Sequence, residues 1–493
     1  MSTELLSRLQ FALTVMFHMT FPAVTVGLSV LLCIVYWKYW RTHKAVYLQM
    51  FRFWRRIFAV GFALGVVAGI VITFQLGLNW GQYAATTGAV IGPIIGMEVV
   101  TAFFVEAAFL GVLLYGEGRV KERTMFISTV MVAIGTVLSS TWIISANSWM
   151  QTPAGYAREN GRFVVTDWWK VLVSPSFVWR WPHMLVAVLV SAGVFVAGIS
   201  AYYLVKGRAV MFARKSLSIA LGVVATLIPL QIALGDYVAG EYVVTDQLTS
   251  KGLPSKMMAW EGNWDSNNNG YVLFAIPDQN AQRNIVEISV PWWGSAIGAK
   301  DLTGSSKTPG LSLVPRDEQP NMAGTFWGFR MMFYGSILIF ASAFMATYLR
   351  LRKRLYTSRR FHKWLLWTTP IGIIAILGGW LTAEVGRQPW VVWGQLKTSA
   401  AASNLSSGAV LFSFIGFIAI YAVMLVAYIA YIVRAVRRGP ESDLPGAAKA
   451  EGTEDESVLG KAARAVSDVA LAGTAAVAST ASGAASTVSK AEA

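Results

Sequence analysis

The stretch VIGPIIGMEVVTAFFVEAAFLGVLLY, residues 90–115, is an apolar run whose only acidic or basic residues are Glu98 and Glu106. It exceeds the roughly 18 apolar residues that a membrane-spanning helix requires. The same pattern recurs along the chain and predicts an all-α polytopic membrane protein with about nine transmembrane helices. The predicted spans are residues 11–37, 57–78, 90–115, 124–148, 181–205, 216–234, 326–349, 364–383 and 409–433.

Composition and charge agree with a membrane protein. The chain has 493 residues, of which 55% are hydrophobic and 14% charged, and its net charge is +15. The positive charge is concentrated in alternate loops, such as residues 38–56 and 350–363, and these two loops contain no acid. By the positive-inside rule, the N-terminus lies outside and the C-terminus in the cytoplasm. The basic loops therefore indicate topology and contact with anionic membrane lipid, not nucleic-acid binding.

Two segments lie outside the predicted membrane helices. Residues 235–325 form a long polar loop between spans 6 and 7, and loops of this length are usually functional or disordered. Residues 439–493 are rich in Ala, Ser and Glu and are predicted to be a disordered cytoplasmic tail. The predicted division is residues 1–234 for helices 1–6, 235–325 for the extracytoplasmic loop, 326–438 for helices 7–9, and 439–493 for the tail.

Five ionisable side chains lie inside or at the edge of apolar runs, where they are costly and usually functional. They are His18, Glu98, Glu106, His183 and Glu384. Histidine and carboxylate, with Met nearby, form a ligand set that can hold haem iron. The other two histidines, His43 and His362, lie in basic loops and are predicted to be solvated or lipid-facing. A single cysteine, Cys33, excludes covalent CxxCH attachment of a haem.

Glu98 and Glu106 share one predicted helix. In a regular α-helix their separation corresponds to about 12 Å of rise and about 80° of rotation, so they line one broad side without stacking. Protonatable carboxylates at membrane depth commonly serve proton paths, and a relay or metal-site role is favoured here over helix packing. Ser139 and Ser140 on the next span are predicted as further relay members, with helix packing as the alternative.

Two strings at the ends of later spans add candidate ligands. The string FWGFRMM places Arg330 close to Met332, and a cation at this position can pair with a haem propionate. The string GWLTAEVGRQPW, residues 379–390, is the most specific in the chain. Its carboxylate Glu384 can ligate iron, its guanidinium Arg387 can hold a propionate, and its proline turns the chain outward.

Together these strings resemble subunit I of the cytochrome bd-type quinol oxidases, and the resemblance covers roughly residues 5–430. Six strings occur in matching order and at matching places in the topology. They are SRLQFALTVMFH (7–18), FQLGLNW (74–80), GMEVVTAFFVE (96–106), ANSWMQTPAG (146–155), FWGFRMM (326–332) and GWLTAEVGRQPW (379–390).

The resemblance implies three haems. His183 and Met332 would be the axial ligands of a low-spin haem b. His18 and Glu384 would each serve one of two high-spin haems. One of these is a haem b, and the other, which reacts with oxygen, is a haem d or a further haem b. The sequence leaves open which of the two residues serves which haem.

The resemblance also assigns residues around the two high-spin haems. Glu98 would lie at the di-haem site, where it is a further candidate iron ligand, and Glu106 would supply the site with protons. The catalytic residues would be Glu98, Glu106 and Glu384. The additional cofactor-binding residues would be Arg330, Arg387, Gln388 and Trp390. The two arginines would hold propionates or tune haem potentials.

The long loop resembles the quinol-binding loop of the same family. Residues 256–264 match it, and quinol would bind at Lys256 and Glu261, which can receive its hydrogen bonds and protons. The usual Gln-Pro ahead of the lysine is Leu253-Pro254 in this chain, and Trp260 replaces a small residue. Ubiquinol and menaquinol are both candidate substrates.

The predicted function is that of a quinol:oxygen oxidoreductase in the bacterial cytoplasmic (inner) membrane. It would oxidise quinol at the outer face and reduce O2 to water at the di-haem site with cytoplasmic protons, without proton pumping. The partners implied are a homologous second membrane subunit and small single-span subunits. Two alternatives are a membrane cytochrome b that only carries electrons and a proton-coupled transporter that uses Glu98 and Glu106.

Overall fold

The computed structural model describes residues 2–243, 247–298 and 300–443. Within these ranges, nine helical segments are long and apolar enough to cross a membrane. All nine predicted spans are confirmed as helical, and each observed segment extends past its predicted bounds at one or both ends. Residues 444–493, which make up most of the predicted disordered tail, lie outside the described residues.

The secondary structure is mainly helical, with three short hairpins. The α-helices are α1 (Thr3–Thr20), α2 (Pro22–Thr42), α3 (Ala45–Leu78), α4 (Gly81–Glu98), α5 (Phe104–Tyr115), α6 (Glu122–Gln151), α7 (Trp168–Leu172), α8 (Phe177–Lys206), α9 (Val210–Tyr237), α10 (Ser255–Glu261), α11 (Trp293–Ile297), α12 (Met322–Leu351), α13 (Arg359–Trp367), α14 (Ile371–Val385) and α15 (Ser407–Arg438). The strands are β1 (Tyr156–Glu159), β2 (Arg162–Val165), β3 (Tyr271–Asp278), β4 (Arg283–Val290), β5 (Trp390–Val392) and β6 (Leu396–Lys397). A π-helical turn, Val99–Phe103, joins α4 to α5, and another, Val238–Val243, follows α9.

Proline divides two of the nine spans. Pro22 takes the first position of α2, which separates α1 from α2 at Phe21 within span 1. Pro370 precedes α14 and separates it from α13 within span 8. Proline is tolerated at the first turn of a helix because the N–H that it lacks would have no partner within the helix there.

Successive spans run in opposite directions, so their connections fall at two ends of the bundle. The basic end carries the connections at residues 43–44, 116–121, 207–209 and 352–358. The loop end carries those at residues 79–80, 152–167 and 386–406, together with the long connection between α9 and α12. At the basic end, the Glu117 carboxylate forms ion pairs with Nη2 of Arg52 at 2.6 Å and with Nη2 of Arg55 at 3.1 Å.

The core centres on α8, whereas α15 lies at the periphery. Helix α8 packs against α2, α9, α13 and α14. Glycine permits two of these close approaches: a Cβ on Gly193 would lie 2.7 Å from Cγ2 of Val224, and one on Gly372 would lie 2.7 Å from Cα of Ser191. In contrast, α15 buries only Val410 among its apolar aliphatic side chains.

The long loop is shorter than predicted at both ends, and its described part is ordered. Helix α9 continues past residue 234, and α12 begins at Met322 because Asn321 caps it by accepting a 2.8 Å hydrogen bond from the N–H of Gly324. Between the two helices, the antiparallel hairpin β3–β4 packs along α12, with Tyr271 paired to Val290 at its open end.

The two loop histidines differ in environment. His43 is 66% exposed in its side chain, in agreement with the predicted solvated position. The prediction for His362 is wrong, because this residue is only 3% exposed and its Nε2 donates a 2.8 Å hydrogen bond to the carbonyl oxygen of Leu355. The short helix α13 turns His362 inward, so that a backbone carbonyl satisfies its ring.

Candidate functional site

Glu384 lies one residue before the end of α14, and its carboxylate is held from two sides. Arg387, which is 5% exposed, donates from Nη2 to Oε2. Asn147 of α6 donates from Nδ2 to Oε1 over 2.9 Å. One guanidinium and one amide thus fix the orientation of a carboxylate at the loop end of the bundle.

A second guanidinium reaches this carboxylate through the asparagine. Arg180 of α8 donates from Nη2 to Oδ1 of Asn147 over 2.6 Å and from Nη1 to Oγ of Ser148 over 3.1 Å. Because Asn147 accepts from Arg180 and donates to Glu384, it transmits the orientation of one charged side chain to the other.

The loop residue Lys256 completes the group. Its Nζ donates to Oε1 of Gln151 over 2.6 Å, and its side chain is 3% exposed. Burial holds the pKa of this ammonium well below its ordinary value, and the positive charges of Arg180 and Arg387 lower it further, whereas Glu384 opposes the shift. We call this group the Glu384 cluster. Its members are Glu384, Arg387, Asn147, Arg180, Gln151 and Lys256.

The rest of the GRQPW string shapes the turn after α14. Gln388 accepts a 2.6 Å hydrogen bond at Oε1 from the hydroxyl of Thr398. Trp390 is the first residue of β5 and pairs with Lys397 of β6. The ammonium of Lys397 lies 5.5 Å from the centroid of the Trp390 ring. These contacts place both side chains in the hairpin beside the Glu384 cluster and not within it.

His18 lies near the end of α1 and faces α3. Its Nδ1 donates a 3.0 Å hydrogen bond to the carbonyl oxygen of Gly65, since a carbonyl can only accept. In the neutral ring, Nε2 then keeps its lone pair, which is the arrangement that metal-bound histidines show. A Cβ on Gly69 would lie 3.2 Å from Cε1 of the ring, so glycine leaves space beside the imidazole.

His183 and Met332 lie on helices that pack around one another. His183 of α8 has its Nδ1 3.2 Å from Nε2 of Gln231 on α9, and a Cβ on Gly235 would lie 3.1 Å from its Cε1. Met332 of α12 faces α14, where a Cβ on Gly379 would lie 2.7 Å from its Sδ. Helices α8, α9, α12 and α14 therefore bring His183, Met332 and Glu384 into one part of the bundle.

These donors fit haem better than a bare metal ion. In the described part of the chain no three His, Cys, Asp or Glu side chains converge, and haem iron needs only one or two protein ligands. Each of the imidazoles and the thioether packs against a glycine, where a Cβ would crowd the donor side chain. Two buried donors, Nε1 of Trp380 and Nε of Arg387, have no hydrogen-bond partner among the described residues. Such donors suit the propionates of a haem.

Glu98 and Glu106 are stacked along one face of α6, which corrects the prediction for a regular helix. On α6, Ser139 donates to Oε1 of Glu98 over 2.7 Å. Gly135 lies one helical turn before Ser139, and a Cβ on it would contact Cγ of Glu106. The π-helical turn between the two acids takes in one more residue per turn than an α-helix and so removes their angular offset. Ser140, in contrast, bonds to the carbonyl oxygen of its own helix.

Arg330 is directed at the long loop. Its Nε donates to the carbonyl oxygen of Val272 over 3.0 Å, and Nη1 donates to that of Trp260 over 3.1 Å. The guanidinium carbon lies 4.5 Å from the ring centroid of Tyr271 and 4.3 Å from that of Phe326. At 1% exposure, this side chain fastens the loop to α12.

Glu261 lies close to the attachment of the loop to α12. It is 7% exposed and accepts a 2.9 Å hydrogen bond from Nε1 of Trp260, whose ring stacks on Phe329 at 5.5 Å. Burial raises the pKa of the Glu261 carboxyl, and the charge of Arg330 and the bond from Trp260 oppose this shift. The structure therefore assigns Lys256 to the Glu384 cluster and Glu261 to a separate aromatic environment.

Sequence reasoning missed three members of the Glu384 cluster: Asn147, Gln151 and Arg180. The first two lie in the string ANSWMQTPAG, which was noted only for its resemblance. Arg180 stands three residues before His183, and a cation at the start of an apolar run was a usable signal.

Comparison with known proteins gives consistent matches over almost the whole chain. The family model described as cytochrome bd terminal oxidase subunit I matches residues 6–440. A Bacillus subtilis protein, cytochrome bd ubiquinol oxidase subunit 1, is 31% identical over 455 residues, which cover 90% of this chain and 95% of that protein. An Escherichia coli protein, cytochrome bd-II ubiquinol oxidase subunit 1, is 30% identical and covers 83% of this chain and 91% of its own length.

The solved structures give the same result for the fold. The bd oxidase from Geobacillus thermodenitrificans superposes with a TM-score of 0.79 at 27% identity. The superposition covers 88% of this chain and 98% of the matched chain.

Proposed function

Because this chain belongs to the cytochrome bd terminal oxidase subunit I family, we propose that it is the quinol-oxidising subunit of a quinol:oxygen oxidoreductase. The enzyme oxidises membrane quinol at the outer face and reduces O2 to water at a di-haem site with cytoplasmic protons, without proton pumping. The observation that carries the proposal is the family match over residues 6–440. This range contains every candidate ligand, both relay carboxylates and the loop.

The family resemblance assigns the candidate ligands to haem sites. His183 and Met332 hold the low-spin haem b, and His18 and Glu384 each serve one of two high-spin haems. When bound, the haems supply electron transfer and the iron at which oxygen reacts. The chain itself fixes the donors: Gly65 orients the ring of His18, and Arg387 orients Glu384 together with Asn147.

Quinol oxidation is assigned to the long loop. Glu261, whose pKa is raised by burial, accepts a proton from the quinol. Lys256, whose pKa is lowered, binds an oxygen of the quinol. Both side chains are buried, so a quinol that reaches them leaves water behind. The positive charge of Arg330 stabilises Glu261 once it is ionised.

Proton delivery is assigned to the face of α6. Glu106, 5% exposed, takes protons from the cytoplasmic side, and Glu98 passes them toward the di-haem site with Ser139 as its hydrogen-bond donor. Gly135 leaves the space that the Glu106 side chain occupies. Ser140 is omitted from the path because its hydroxyl is bonded to the carbonyl oxygen of Val137.

Topology and partners follow from charge and family. The basic end faces the cytoplasm and the loop end the exterior, so the N-terminus lies outside and the C-terminus inside a bacterial cytoplasmic membrane. A homologous second membrane subunit completes the oxidase, with small single-span subunits as further partners.

The absorption spectrum of the purified complex tests the proposal. A low-spin haem b together with high-spin signals and quinol-dependent oxygen uptake is the expected result. A protein without haem would instead fit a transporter, and a single low-spin haem without oxygen uptake would fit an electron carrier. A red-shifted chlorin band would identify haem d as the third haem.

A further inference from the structure

Residues 291–298 and 300–302 of the long loop, together called the 291–302 segment, expose large apolar side chains. The exposed fractions are 83% for Leu302, 49% for Trp292, 44% for Trp293 and 39% for Ile297. The segment carries α11, directly follows β4, and belongs to neither the Glu384 cluster nor the attachment through Arg330. An exposed apolar patch of this kind normally contacts a membrane or a partner.

Helix geometry gives the level of this segment relative to a bilayer. At the basic end, Arg350 of α12 donates to the hydroxyl and carbonyl oxygens of Ser218 on α9, so these two residues share one level. Asp236 lies eighteen residues along α9, or about 27 Å at the rise of an α-helix, which is close to the roughly 30 Å of a hydrocarbon core. Lys300 of the segment forms an ion pair with Asp236, so the segment lies at the loop-end boundary of the hydrocarbon.

The hairpin agrees with this level. Tyr334 lies sixteen residues before Arg350, or about 24 Å along α12, and its hydroxyl donates 2.7 Å to the carbonyl oxygen of Leu273. The open end of the hairpin is therefore at this boundary. The opposite end contacts the start of α12, where the N–H of Met322 donates 3.0 Å to Gln279. The 291–302 segment leaves the hairpin at its open, membrane-level end.

The chemistry of the segment suits the surface of a bilayer. Its two charged residues are satisfied within the protein, Lys300 by Asp236 and Asp301 by hydroxyl groups that include Thr303 at 2.6 Å. The apolar surface continues onto α9, where Tyr237 is 48% exposed. Tryptophan is enriched at membrane interfaces because it combines a large apolar ring with one N–H donor.

We propose that residues 291–298 and 300–302 form an interfacial anchor that inserts Trp292, Trp293 and Leu302 into the outer leaflet of the bilayer. The occupant of this apolar surface is lipid. The anchor holds the loop that carries Lys256 and Glu261 against the phase in which a lipid-soluble substrate is dissolved. This role goes beyond the proposed oxidase function and does not depend on it.

Site-directed fluorescence quenching tests the anchor on the whole oxidase complex in lipid nanodiscs. The background is Cys33→Ser, which removes the single cysteine of the chain. Leu302→Cys is then labelled with a bimane probe. Ala281→Cys, at the exposed turn of the same hairpin, is the matched control. Nanodiscs with doxyl-labelled phosphatidylcholine report lipid contact, and iodide reports exposure to water.

The doxyl lipid is expected to quench the probe at residue 302 strongly and the probe at 281 weakly, and iodide is expected to show the reverse order. Equal quenching by iodide at both positions would place the segment in water and overturn the proposal. Protection from both quenchers at residue 302 would indicate cover by another protein subunit and would also overturn it. Trp292→Cys gives a second reading at the other end of the segment, should Leu302→Cys not assemble.

Discussion

The ammonium of Lys256 donates a 2.6 Å hydrogen bond to Oε1 of Gln151, and this bond joins the long loop to the end of α6. Asn147, one turn earlier on α6, holds Glu384. A residue of the long loop and a candidate haem ligand are therefore positioned by the same helix end. A change in the protonation or position of Lys256 is expected to be felt at Glu384.

Lys256→Met should impair quinol oxidation and also change how stability depends on pH. The folded protein holds this lysine with a pKa well below 10.5, while the unfolded chain keeps the ordinary value. Between those two values the unfolded state binds more protons, so the wild type gains stability as pH rises through that window. The variant lacks this gain. As pH rises through this window, the melting temperature of the wild type should increase relative to that of the variant. A constant difference in melting temperature would contradict the lowered pKa of Lys256.

Gly379→Ala should disturb the low-spin haem. The new Cβ would lie 2.7 Å from Sδ of Met332, so the thioether must move, and overpacking of this kind costs about 1–3 kcal/mol. The reduced-minus-oxidised spectrum should lose or shift its low-spin signal. Gly222→Ala is the control, because no atom lies within 4 Å of its Cβ position. An unaltered low-spin signal in Gly379→Ala would count against Met332 as a ligand.

Glu106→Gln should slow the reaction with oxygen by about tenfold or more, since it removes a proton carrier while keeping the size of the side chain. Haem content should stay normal. Ser139→Ala should have a smaller effect in the same direction because it removes the 2.7 Å hydrogen bond to Glu98. Ser140→Ala is the control, since its hydroxyl bonds to its own helix. Normal oxygen turnover in Glu106→Gln would contradict the proposed proton relay.

Arg330→Lys should loosen the long loop. A lysine cannot reproduce the forked donation to Val272 and Trp260 or the contact with the rings of Tyr271 and Phe326. We expect a loss of about 2–4 kcal/mol, faster proteolysis within the loop, and weaker quinol oxidation with haem content retained. Arg316→Lys, on the exposed part of the loop, is the control. Loss of a haem in Arg330→Lys would instead support a role in holding a propionate.

The sequence was most informative where one physical requirement dominates. Apolar run length predicted all nine spans, because the thickness of a bilayer leaves little freedom. It also singled out Glu384 and Arg387, whose contact is local to one helix end. The contacts of Arg330, Lys256 and Gln151 join residues far apart in the chain. No periodicity within a single segment encodes such pairings, so they required the fold.

The π-helical turn Val99–Phe103 changes how the spacing of the two acids should be compared between relatives. Deleting one residue within it would restore an α-helical ladder with the two acids seven residues apart, which keeps them within about 20° of one face. A relative with one residue fewer between its carboxylates could present the same pair in regular helix. A single-residue gap at this point of an alignment would then mark a difference in backbone geometry and not the loss of a proton carrier.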